Sequence, residues 1–169
     1  ILHRYFSDEN KRNNFITLDE EKINNSELLN YLNILWVTPI MEKIMLQSNS
    51  EKRSFFDRLT FNVNNNHLKN LSRLQKLLKE RLTLLKKVNY ESEWMGILEN
   101  KIAEISFIII NDRINFIEIL NRQLSEIKKP FTSCLVEFKH ELDSLEQFVY
   151  NEEIFVSKYS LILEAKREL

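Results

Sequence analysis

The chain has 169 residues, enough for one domain with a real core, and its net charge of −1 with 43% apolar and 29% charged residues is ordinary for a globular protein. Its single glycine, Gly96, excludes a Walker A loop, a dinucleotide-binding turn and an EF-hand loop from these residues, because each needs glycine where the backbone closes on a ligand. One cysteine, Cys134, leaves no internal disulfide and no CxxC zinc site, and His3, His67 and His140 are too far apart for a HExxH pair.

Residues 1–38 read as mixed structure. Leu2 with Tyr5-Phe6, and Phe15-Ile16 with Leu18, are β-prone runs separated by a polar hairpin loop, Ser7 to Asn14. Ser26 caps a short helix, and Asn33 to Thr38 is a compact apolar run before Pro39 that predicts a buried strand. After Pro39 the period becomes helical. Ile40, Ile44 and Met45 mark a short helix, and Ser48-Asn49-Ser50-Glu51 has the S-x-x-E form of a capping box. The helix it opens carries Phe55, Phe56 and Leu59. A polar break, Asn62 to Asn66, follows.

Leu68, Leu71, Leu74, Leu78, Leu82 and Leu85 recur at helical steps and predict a helix over about 65–87. A longer stripe, Leu98, Ile102, Ile105, Ile109, Phe116, Leu120, Leu124 and Ile127, predicts a helix over 92–128. The short link between them predicts antiparallel packing, with Leu71, Leu74, Leu78 and Leu85 facing Leu98, Ile102, Ile105 or Ile109. Beyond Pro130, Ser133 to Phe138 alternates like a strand, and Ser144-Leu145-Glu146-Gln147 opens a final helix carrying Phe148, Phe155, Tyr159, Ile162 and Leu163. The expected fold class is mainly α with a minor β component, built on a long antiparallel helical hairpin plus a few short strands.

The net charge hides a segregation. Lys52 to Lys87 holds ten Lys or Arg against Asp57 and Glu80, whereas Glu91 to Glu126 holds seven acids against three bases. The plain reading is intramolecular pairing and a solvated face; the sharper one is a phosphate-facing surface. Each histidine reads as a surface or strand residue, Cys134 as a small buried hydrophobe, and Trp36 and Trp94 as packing residues. Asp57 with Arg58 reads as a local ion pair ahead of the alternative, part of a functional surface. No catalytic set and no metal site is identifiable. No apolar run reaches the length of a membrane span, and a lone cysteine with many lysines fits a reducing cytoplasm. The start has neither a signal-peptide layout nor an initiator Met, as expected of a piece of a longer protein.

Three blocks in order carry a resemblance. Trp36-Val37-Thr38-Pro39 comes first, then Ser50-Glu51-Lys52-Arg53-Ser54-Phe55-Phe56-Asp57-Arg58-Leu59, then Leu74-Gln75-Lys76-Leu77-Leu78-Lys79-Glu80-Arg81-Leu82-Thr83-Leu84-Leu85-Lys86. This order resembles the RecF DNA replication and repair proteins, which carry a T-P element, an R-R-x-F-L-D motif and a helix ending in K-x-R-N-x-L-L. Trp36 and Arg58 are especially like the forms from α-proteobacteria. The chain departs at Lys52, Phe56 and Leu82, where the family has Arg, Leu and Asn, and it lacks the family's glycine before the R-R pair.

The resemblance implies an SMC-like, ABC-type ATPase with a head lobe and a helical lobe, acting in recombination, repair and the SOS response. It implies ATP and Mg²⁺ as cofactors of the full-length protein, with none bound by this segment. Implied partners are DNA at single-strand gaps, a second copy on ATP binding, and RecO and RecR in loading RecA. Residues 1–38 would then be head-lobe strands with a short helix, 39–130 the helical lobe, and 131–169 a strand and helix returning to the head lobe. The Walker and signature motifs would lie outside the chain, which would be inactive as an ATPase alone. Lys52 and Arg53, in the family motif, and Lys69, Arg73 and Lys76, on one helix face, are the candidate DNA contacts. The alternatives are a helical interaction or structural module with no ATPase context and, with no catalytic constellation to support it, a self-contained enzyme.

Overall fold

In a computed structural model, the described residues are 2–5, 15–28, 31–32, 38–39, 41–87, 90–127, 130, 134–137, 139 and 150–167. The chain divides into two compact units, Ile1–Met45 and Leu46–Leu169.

The first unit carries a three-stranded antiparallel sheet in the order β1 (Leu2–Tyr5), β2 (Phe15–Leu18) and β3 (Glu21–Ile23). Leu2 pairs with Leu18 and Tyr5 with Phe15, so the two β-prone runs form the expected hairpin. The third strand is an addition that its polar Glu-Lys start concealed. It follows a two-residue turn in which Asp19 (φ 49°) and Glu20 (φ 72°) both take the left-handed conformation. A turn of that hand matches the twist of the strands it joins and ordinarily uses Asn or Gly; this glycine-poor chain places Asp-Glu there instead. Helix α1 (Asn25–Leu28) is capped by Asn24, not by Ser26. The Glu27 amide donates to Asn24 Oδ1 and the Asn24 amide to Glu27 Oε2, each at 2.8 Å. The expected strand over 33–38 falls almost wholly outside the described residues, and Met41–Leu46 is a 3-10 helix.

The second unit is helical: α2 (Asn49–Phe61), α3 (His67–Leu85), α4 (Ser92–Ser125) and α5 (Glu152–Ala165). The capping box at Ser48 is present, with the Glu51 amide donating to Ser48 Oγ at 3.3 Å and the Ser48 amide to Glu51 Oε2 at 3.0 Å. The Ser48 hydroxyl, which donates to Glu51 Oε2 at 2.6 Å, and after it the Ser48 amide hold the Glu51 carboxyl below its ordinary range. At 34 residues, α4 is about 51 Å long and serves as the spine.

Cross-helix pairs show the directions. His67, at the start of α3, meets Asp112 late in α4, whereas Arg81, near the end of α3, meets Glu99 early in α4. The two helices are therefore antiparallel, as expected. Helix α5 also runs against α4: Phe155 packs with Phe107 and Ile110, and Leu163 with Leu98 and Ile102.

The leucine face of α3 is rotated from the expected one. Leu74, Leu77 and Leu84 pack on Leu98, Ile102 and Leu163, while Leu78 is 42% exposed and Leu82 is 54% exposed. A run with leucine at nearly every third or fourth position offers two overlapping stripes, and contact with both α4 and α5 selects the one through Leu77 and Leu84. Residues 134–137 form no ladder. Val136 is instead tied to α4 by the Asn121 side chain, which donates to its carbonyl (2.8 Å) and accepts from its amide (2.9 Å). Cys134 is exposed, a correction to the buried role expected from alternation. The final helix starts at Glu152 with Asn151 as its cap; Ser144 lies outside the described residues.

Candidate nucleic-acid interface

The basic residues of the Lys52–Lys87 stretch divide into two groups. Lys69, Arg73, Lys76 and Lys79 stand exposed on α3. Spacings of four and three place Lys69, Arg73 and Lys76 on one exposed face of the helix, with Arg73 bordering the Leu77 and Leu84 side that packs inward. Among the described residues, Lys69, Arg73 and Lys76 form no ion pair. On α2, Lys52 is half-buried in the first turn, and the exposed Arg53 donates from Nε to the Asn49 carbonyl at 3.3 Å. Arg58 stands 5.9 Å from the Phe55 ring centroid, and Asp57 takes its bidentate pair from Arg113.

Arg81 behaves differently. Its Nε donates to Glu99 at 3.0 Å and its Nη2 to the Leu163 carbonyl at 2.6 Å, so one guanidinium joins three helices. Arg167 closes on the same carboxylate from beyond α5. Glu99 is thus a buried anion between two arginines.

The second buried network joins α2, α3 and α4. Arg113 grips Asp57 in a bidentate pair, with Nε to Oδ1 at 2.7 Å and Nη2 to Oδ2 at 2.9 Å. His67, fully buried, lies between Asp57 Oδ1 (3.0 Å from Nε2) and Asp112 Oδ2 (2.9 Å from Nδ1). Asn64 donates to the other Asp112 oxygen at 2.7 Å. Burial alone would raise the Asp57 carboxyl, but hydrogen bonds from His67 and Arg113 outweigh it and leave the group below its ordinary value.

His67 is therefore neither a surface nor a strand residue. The sequence carried a signal for this network: Asp112-Arg113 fills the step between Ile109 and Phe116, where the apolar stripe of α4 calls for a core residue. Glu99 likewise sits beside Leu98 on the inward side. Trp94 is 43% exposed and carries Lys101 over its ring at 5.7 Å, so it is not a core residue. Among the described residues there is no cluster of His, Cys, Asp and Glu that could hold a metal ion.

No family model and no solved structure matches the chain. Curated proteins do. The DNA replication and repair protein RecF of Rickettsia typhi is 33% identical over 129 residues, 75% of this chain and 36% of the relative. This chain is a partial relative of RecF. RecF of Rickettsia bellii (strain OSU 85-389) is 29% identical over 113 residues, and that of Rickettsia prowazekii 33% over 110. The chain spans about a third of the length of the RecF proteins it matches. The RecF-like motif residues take distinct positions in the fold. Asp57 and Arg81 turn inward and pair across helices, whereas Lys52 and Arg53 sit at the head of α2. No helix among the described residues is long and apolar enough to cross a membrane.

Proposed function

We propose that this chain is the helical lobe of a RecF-like, ATP-dependent DNA-binding protein of recombinational repair, and that the outer face of α3 meets the phosphate backbone at single-strand gaps. The observation that carries this reading is the row Lys69, Arg73 and Lys76: cations on one helix face, exposed, and without an acidic partner among the described residues. Such a row displaces condensed counterions from nucleic acid and contributes sequence-independent affinity. The similarity to proteins named for DNA replication and repair supports the same assignment.

In this reading ATP and Mg²⁺ are held by segments outside these 169 residues, since the chain has one glycine with which to build a phosphate cradle. The lobe itself is non-catalytic. Homodimerisation on ATP and cooperation with RecO and RecR in loading RecA, in the cytoplasm, belong to the full-length protein.

A second reading, a helical module that docks another protein, is supported by the exposed Leu78 and Leu82, four residues apart on α3. Titrating the chain with a gapped duplex over a salt series separates the two. The DNA reading predicts binding that weakens steeply with salt, and absence of binding at low salt would remove it.

A further inference from the structure

We propose that His67 is a buried imidazolium, a cation held between two carboxylates that latches α2, α3 and α4 together. The argument is one of donors and acceptors. Both ring nitrogens lie within hydrogen-bond distance of aspartate oxygens, Nε2 at 3.0 Å from Asp57 and Nδ1 at 2.9 Å from Asp112. An ionised carboxylate only accepts, and a neutral imidazole has one N–H and one bare lone pair. A neutral ring would therefore turn a lone pair onto a carboxylate oxygen at one of these contacts. A doubly protonated ring donates at both.

Charge points the same way. The groups facing His67 are Asp57 from α2, Asp112 and Arg113 from α4, and the neutral amide of Asn64 from the turn before α3. With Arg113 and an imidazolium against two carboxylates, the cluster sums to zero. With a neutral ring it carries one uncompensated negative charge around a side chain of 0% exposure, an arrangement proteins avoid.

The remaining way to supply two protons is a neutral ring with the second proton on the Asp112 carboxyl. Asn64 argues against it: its Nδ2 donates to Asp112 Oδ1 at 2.7 Å, which favours the ionised carboxylate. One proton on His67 thus decides whether three helices share a balanced network, and the device fixes the first turn of α3, from which Lys69 projects.

Ring-nitrogen NMR of the isotope-labelled chain at neutral pH tests this. The expected result is two protonated nitrogens on His67, each with a one-bond N–H coupling. In Asp112→Asn the amide can donate to Nδ1, so the same spectrum should show one coupling, at Nε2. A single coupling in the wild-type chain would overturn the proposal whether or not the variant folds. Two couplings retained in Asp112→Asn would overturn the role given to Asp112.

Discussion

Arg81 Nε stands 3.0 Å from a carboxylate oxygen of Glu99 while its Nη2 reaches the carbonyl of Leu163, so a motif arginine of α3 is spent on holding α4 and α5. Glu99 has 2% of its side chain exposed and is gripped from the other side by Arg167. Removing one partner of a buried pair leaves the others uncompensated and typically costs about 3–5 kcal/mol. Glu99→Ala, which strands two guanidinium groups, should fall in that range in urea denaturation. Arg81→Ala should cost less, because Arg167 still neutralises Glu99. Equal and small effects for both would contradict the clamp.

Asp57 gives a pH dependence with a definite sign. Its carboxyl lies below the ordinary 3.8, because the contacts with His67 and Arg113 outweigh burial. A group lowered on folding contributes stability that is fully present above its unfolded value and is lost as pH falls through the folded one. Stability measured from about pH 5 downward should therefore fall more steeply in the wild-type chain than in Asp57→Asn. Parallel curves would mean that Asp57 takes no part in acid unfolding.

The rotated face of α3 makes a paired prediction. Ile102 is fully buried, and Ile102→Ala should cost about 2–5 kcal/mol. Leu78 is 42% exposed, and Leu78→Ala should change stability by about 0.5 kcal/mol or less. Thermal or urea unfolding of the two variants decides it. A large loss for Leu78→Ala would mean that the face through Leu71, Leu78 and Leu85 is the packed one.

The long helices, their antiparallel pairing, the β1–β2 hairpin and the Ser48 cap were legible because each rests on local spacing: periods of 3.6 and 2, or a serine three residues before a glutamate. What spacing leaves open is azimuth. The leucines of α3 fit two neighbouring stripes, and the choice between them comes from α5, a partner more than sixty residues away in sequence. The buried ion networks were missed for the same reason. Asp57, His67, Asp112 and Arg113 converge only through the tertiary fold, and the one local clue was a pair of charged residues interrupting the stripe of α4. The basic row on α3 was legible as a row; its accessibility depended on which face packs inward.

The central claim is that this row contacts nucleic acid, and charge reversal at Lys69, Arg73 and Lys76 together tests it most directly. Binding to a gapped duplex is measured over a salt series for the wild-type and Lys69→Glu/Arg73→Glu/Lys76→Glu proteins, in the 169-residue chain and in the longest reading frame that contains it. Each phosphate contact contributes about 0.9 to the log–log salt slope on duplex, so losing three should flatten the slope by about 2.7 and weaken binding at low salt. The melting temperature should stay nearly unchanged, because these side chains are exposed and make no ion pair among the described residues. Unchanged affinity and slope in a folded variant would show that α3 presents only a solvated face.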